Sequence, residues 1–74
     1  MITRHSIVRD CGVRAAVFDR EHGNRIKTRD EFRNIVDDFL DGNKQAGAAF
    51  DANGWDFTRL VSDAFRVYRE HYAS

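Results

Sequence analysis

A regular pattern of hydrophobic and polar positions runs from Thr28 to Gly42, with the sequence TRDEFRNIVDDFLDG. Its apolar residues follow the spacing i, i+3, i+4, i+7 and i+8, which places Phe32, Ile35, Val36, Phe39 and Leu40 on one face of a helix. Thr28 and Glu31 have the spacing of a capping box, and Gly42 stands where a left-handed terminating residue is expected. The pattern predicts an α-helix at about residues 29–41.

A second helical pattern covers about residues 57–72, with Asp56 or Thr58 as the N-cap. Its apolar face consists of Phe57, Leu60, Val61, Ala64, Phe65, Tyr68 and Tyr72. On the polar side, the sequence places two ion pairs at i, i+4 spacing, Arg59 with Asp63 and Arg66 with Glu70. The segment between the two helices has room for a short helix at 43–50, and Asn53-Gly54 is a strong turn signal.

The first 28 residues have a different character. They hold eight Val, Ile and Thr residues, whereas the remaining 46 residues hold five. Such β-branched residues favour strands, and turn-forming residues occur at 10–12 and 19–24. We therefore predict strands at about 4–9, 13–18 and 24–28. The predicted fold class is α+β: a short antiparallel β-meander, at about 4–28, packed by two amphipathic helices.

The alternative is an all-α bundle of three or four helices, in which 4–22 is one helix capped by Gly23. Its helical face would carry Ile7, Val8, Cys11, Ala15 and Phe18. Against this alternative, Val13 and Val17 fall on the opposite face, and Gly12 in the middle of a helix costs about 1 kcal/mol. The strand interpretation is preferred on these grounds.

Composition bounds the function. The 74 residues predict a single small domain, 1–74, near the lower size limit for folding without staples. The one cysteine excludes an internal disulfide and suits a reducing, cytoplasmic location. Net charge is zero, with eight basic against five acidic residues in 1–33 and four against seven in 34–74. This uneven layout fits a charged partner or a second copy in a homo-oligomer.

The residues that carry chemistry in other proteins are not clustered in this sequence. His5, His22 and His71 lack the i, i+4 spacing of a helical zinc site. Cys11 has no neighbouring base in sequence, and Asp37 and Asp38 point away from the apolar face of their helix. We therefore predict no enzymatic activity, no cofactor and no metal site.

The leading hypothesis for function starts from carboxylates at the C-terminal end of the 29–41 helix, where they oppose the helix dipole. The predicted partner-binding residues are Asp37, Asp38, Asp41, Asp51, Trp55 and Asp56. They would form an acidic patch against a larger protein with a basic surface, and Trp55 would be an anchor if exposed. The predicted function is a non-enzymatic binding module, an inhibitor or adaptor. This size class includes phage-encoded inhibitors of host systems such as anti-CRISPR proteins.

The alternative function is a small dimeric DNA-binding transcriptional regulator. Residues 44–61 bear some likeness to a helix-turn-helix, and the C-terminal helix would present Arg59, Arg66 and Arg69 to DNA. However, Ala49 and Gly54 are five residues apart, where the usual tight turn has four. A net charge of zero also disfavours nucleic acid as the partner.

Overall fold

The computed structural model describes residues 2–74, which form four α-helices and no strand. The helices are α1 (Arg4–Glu21), α2 (Arg29–Gly42), α3 (Lys44–Asn53) and α4 (Phe57–Ala73). Helix α4 packs extensively on α1 and also on α2, while α3 packs on α2. The predicted α+β class is therefore wrong, and the described chain matches the all-α alternative.

A single helix replaces the first two predicted strands, at 4–9 and 13–18. Helix α1 begins at a capping box in which the Thr3 hydroxyl accepts a hydrogen bond from the Ser6 amide at 3.1 Å. In return, the Ser6 hydroxyl accepts one from the Thr3 amide at 3.0 Å. This start signal uses Ser at the third helical position instead of the usual Glu or Gln.

The packing of α4 against Gly12 explains why α1 has a glycine in its middle. A Cβ atom built at Gly12 would lie 2.8 Å from the Ala64 carbonyl oxygen and 2.8 Å from Val67 Cβ. The glycine therefore allows α1 and α4 to approach closely, and the packing of the two helices offsets its poor helix propensity. Val17, which argued for a strand, is 46% exposed on the outside of α1.

The turn-forming residues at 19–24, which the strand interpretation placed between two strands, form the C-terminal end of α1 and its cap. Gly23 has φ +66°, its amide donates to the Arg20 carbonyl at 3.3 Å, and the Asn24 amide donates to the Asp19 carbonyl at 2.8 Å. This pair of bonds is a Schellman motif, which ends a helix on a left-handed glycine. Of the Gly-Asn pair, only Gly23 has a positive φ, and it ends a helix instead of joining two strands.

The third predicted strand, at 24–28, is an extended segment between α1 and α2 that belongs to no sheet. Its backbone bonds to tyrosines of α4. The Lys27 amide donates to the Tyr68 hydroxyl at 2.9 Å, and the Tyr72 hydroxyl donates to the Asn24 carbonyl at 2.6 Å. These side-chain partners satisfy groups that a strand would have paired with another strand.

The patterns at 29–41 and 57–72 correctly predicted α2 and α4. The capping box of Thr28 and Glu31 is present, and Asp56 is the N-cap of α4. Gly42, however, lies inside α2 and has no positive φ. Asn43 follows it in an extended conformation and serves as the N-cap of α3, which ends at the left-handed Gly54.

The two predicted apolar faces meet in the core. The largest fully buried side chains are Tyr68, Phe32, Leu60, Val36, Val61, Asp19 and Cys11. Five of these seven belong to the α2 and α4 stripes, so the hydrophobic period located the centre of the fold. Within residues 2–74, no helix is both long enough and apolar enough to cross a bilayer.

Candidate functional site

Two carboxylates of the predicted acidic patch, Asp37 and Asp38, lie in separate surface depressions, and each depression also contains at least one basic side chain. Asp37 shares one with Asp30 and Arg33. Asp38 shares another with Arg14 and Lys44. The charge around each carboxylate is therefore mixed.

The remaining predicted partner-binding residues do not restore a uniform acidic surface. Asp56 caps α4 by accepting from the Arg59 amide at 3.0 Å, and it lies in a depression with Arg4 and Arg59. Asp41 and Asp51 are exposed on α2 and α3. Trp55 is half-buried against the core, with its ring centroid 6.4 Å from that of Phe50 in an edge-on contact.

The three predicted DNA-contacting arginines divide into two groups. Arg59 lies in the depression with Arg4 and Asp56, whereas Arg66 and Arg69 line a separate groove further along α4. The predicted pair of Arg59 with Asp63 does not form, because Asp63 bonds to Arg4 at 2.7 Å. Within residues 2–74, the Arg66–Glu70 pair is not formed either.

This groove, called here the arginine groove, has a volume of about 700 Å³. It is formed by the outer side of α4, the first residue of α2 and the extended segment before it. The lining residues are Ile26, Arg29, Ser62, Phe65, Arg66, Arg69, Glu70 and Ala73. Its volume is within the range of ligand pockets, although it is open to solvent.

The floor of the arginine groove is apolar. Ile26 is one of the few large hydrophobic residues of the described chain that is exposed, at 39%. Phe65 is half-buried, and its ring packs against Phe32 and Tyr68 with centroid distances of 5.5 Å and 5.9 Å. Because Phe65 is held by core aromatic residues, the floor is fixed in place.

The rim of the groove is basic, with three arginines against Glu70. The Arg29 guanidinium donates to the Ser62 hydroxyl at 2.7 Å and to the Thr58 carbonyl at 3.3 Å. The Arg69 guanidinium carbon lies 5.8 Å from the Phe65 ring centroid, within cation–π range. Among residues 2–74, Arg66 and Arg69 have no side-chain hydrogen bond or ion-pair partner, so their donors face solvent.

A buried polar network positions one wall of the groove. The side chain of Asp19 is fully buried. Both of its carboxylate oxygens accept a hydrogen bond from Lys27 Nζ, each at 2.7 Å. It also accepts from the Tyr68 hydroxyl at 2.6 Å and from Asn24 Nδ2 at 3.2 Å. The network fixes residues 24–28 onto α4, and Ile26 lies in the middle of that segment.

The electrostatics of the network agree with an ionised aspartate. Burial on its own would raise the pKa of Asp19, but the hydrogen bonds from Lys27, Tyr68 and Asn24 lower that pKa below its usual value. Burial, together with the bond to Asp19, raises the pKa of Tyr68 to about 12. The carboxylate is therefore charged and the phenol neutral at physiological pH, which suits a structural role.

The nucleophile considered from sequence is chemically inert. Cys11 is buried in α1, and burial raises the pKa of its thiol to about 12, so the reactive thiolate is scarce at neutral pH. Among residues 2–74, no group of three or more His, Cys, Asp or Glu side chains could hold a metal ion.

The sequence pointed to Arg66 and Arg69 but not to the rest of the groove. Ile26 was assigned to a strand, and Arg29 was regarded only as the start of a helix. One signal was available: Ile26 is the only apolar residue between Gly23 and Phe32. None of the protein-family models, curated proteins and solved structures compared with this chain matches it.

Proposed function

We propose that this protein is a non-enzymatic binding module that acts by protein–protein contact through the arginine groove. The observation that carries the proposal is the fixed apolar floor beside Arg66 and Arg69, whose guanidinium groups have no partner among the described residues. Arginine and aromatic residues are enriched at interaction hot spots.

The proposal keeps the predicted class of function and moves its surface. Asp37 and Asp38 on α2 share their depressions with basic side chains, which reduces the attraction they offer to a basic partner. The arginine groove combines a net positive charge, from three arginines against Glu70, with an apolar floor. An acidic surface on the partner therefore replaces the basic one that the sequence suggested.

DNA binding is the second candidate, and one observation favours it: Arg29, Arg66 and Arg69 lie in a single groove. Two observations weigh against it. The net charge of the chain is zero, and part of the groove floor is aliphatic, from Ile26 and Ala73. Affinity for DNA rests on many phosphate contacts, which three arginines supply poorly.

The test is site-directed photo-crosslinking in the native cell. A photoreactive amino acid replaces Ile26 in the groove or, as a control, Ala52, which is exposed on α3. We expect a protein crosslink from position 26 and none from position 52. Crosslinks to nucleic acid alone would support the DNA-binding candidate, and the absence of any protein crosslink from position 26 would overturn the proposal.

Charge reversals with matched controls locate the surface. The pair Arg66→Glu and Arg69→Glu should abolish the crosslink, whereas Asp37→Arg and Asp38→Arg should leave it intact. All four residues are exposed, so either pair should preserve the helical circular dichroism spectrum. If only the reversal of Asp37 and Asp38 abolished the crosslink, the contact would lie at the C-terminal end of α2 and not in the arginine groove.

A further inference from the structure

We infer that the arginine groove receives an acidic protein segment that places one apolar side chain against Ile26 and Phe65. This inference rests on the proposed function and adds the chemistry of the partner. Three features of the groove support it: its floor, its rim and its aromatic content.

The floor of the groove is complementary to an apolar side chain of the partner. Ile26 is 39% exposed, and Ala73 and the half-buried Phe65 extend the same surface. A polar occupant would leave this surface in water or cover it with groups that lose their own hydration. A Leu, Ile or Phe side chain removes the apolar surface from water on both sides of the contact.

The rim of the groove is complementary to carboxylates of the partner. A guanidinium group has five N–H donors. Arg29 bonds to the Ser62 hydroxyl and the Thr58 carbonyl and keeps donors to spare. Arg66 and Arg69 contribute all of theirs. Guanidinium groups bind carboxylates in bidentate pairs, and a neutral or basic segment would cover these charges without compensating them.

The aromatic content of the groove favours carboxylates of a protein over the phosphates of nucleic acid. Sequence-independent binding to a single strand uses exposed aromatic faces for base stacking. Phe65 is the only aromatic residue among the lining residues, its ring packs on Phe32 and Tyr68, and the Arg69 guanidinium lies over it. An aliphatic anchor flanked by carboxylates fits this surface better than a stacked base.

Fluorescence anisotropy with three labelled peptides of equal length tests the inference. The first peptide is a run of Asp and Glu around one central Leu, the second has Ser in place of that Leu, and the third has Lys in place of every acid. We expect the Leu peptide to bind about tenfold more tightly than the Ser peptide, since burial of one Leu contributes roughly a factor of ten or more. The Lys peptide should not bind.

Variants of the protein assign the two parts of the contact. Arg66→Glu with Arg69→Glu should weaken binding of the Leu peptide by at least about tenfold. If this double charge reversal disturbs folding, the milder pair Arg66→Gln with Arg69→Gln replaces it. Ile26→Ser should remove the preference for Leu over Ser. The control pair Asp37→Arg and Asp38→Arg should not weaken binding.

Each opposing outcome overturns a distinct statement. Equal affinity for the Leu and Ser peptides contradicts the anchor, and binding of the Lys peptide contradicts the charge assignment. Tighter binding to duplex DNA than to the Leu peptide, with a steep loss on adding salt, would replace the acidic segment by nucleic acid. Failure of all three peptides while the Ile26 crosslink persists refutes this inference alone, because the proposed function is tested by the crosslink.

Discussion

Replacing Gly12 with Ala tests the closeness of α1 and α4. In an open helical position this change stabilises a protein by up to about 1 kcal/mol. Here the new Cβ would lie 2.8 Å from both the Ala64 carbonyl oxygen and Val67 Cβ. Neither atom can rotate away, because the oxygen belongs to the backbone and Cβ is attached to it. Overpacking costs typically about 1–3 kcal/mol, so we expect a net loss of about 1–2 kcal/mol.

Urea unfolding followed by far-ultraviolet circular dichroism measures the effect, with Gly42→Ala as the matched control. Gly42 is also helical, and a Cβ there would meet nothing within 4 Å. The control should therefore gain up to about 1 kcal/mol. In thermal melts, Gly12→Ala should lower Tm by roughly 5–15 °C. A Gly12→Ala protein as stable as the Gly42→Ala protein would refute the close packing of α1 on α4.

The buried network and the thiol give three further predictions. Asp19→Asn should lower the free energy of unfolding in urea by about 2–4 kcal/mol, because it leaves Lys27, 22% exposed, without its carboxylate. Adding Lys27→Met should recover part of the loss, and no recovery would contradict the pair. The pKa of Asp19 is lowered by its hydrogen bonds despite burial. Its stabilisation is therefore present above about pH 4 and lost as pH falls through the lowered pKa. Tm of the native protein should drop at acid pH more than Tm of Asp19→Asn; equal drops would exclude this linkage. Cys11, with its pKa raised to about 12 by burial, should resist alkylation until the protein unfolds, as mass spectrometry would show; rapid labelling of the folded protein would contradict its burial.

Helices α2 and α4 could be predicted because their signals are local. The period of the apolar residues and the N-caps at Thr28 and Asp56 depend only on neighbours within a few residues. The same stripes supplied most of the core. Such signals survive folding because the buried face of an amphipathic helix is the same whichever element covers it.

Helix α1 could not be predicted in this way because its stability is tertiary. Its β-branched residues favour strands, and Gly12 is a poor helix former. Both preferences amount to about 1 kcal/mol or less per residue. They are outweighed by the burial of Ile7, Val8 and Ala16 in the shared core. Only the position of α4 shows why residue 12 must lack a side chain.

The candidate site was predicted only in part. Arg66 and Arg69 are seven and ten residues beyond Arg59 on one helix, so their exposure followed from the helical period. The sequence did not reveal that Arg29 and Ile26 join them, because these residues are about 40 positions away in the chain. They reach α4 through the Asp19 network and the bonds of Arg29 to Ser62 and Thr58.

By itself, the sequence determined two amphipathic helices, their N-caps, most of the core and the absence of net charge. The tertiary structure decided that residues 4–21 are a helix and that Asp37, Asp38 and Asp56 share their surroundings with basic residues. It also decided that one groove combines arginines with an apolar floor. The physical reason is the range of the interactions. Helical period and capping act within about four residues, whereas close helix packing and ion pairing depend on which distant residues meet.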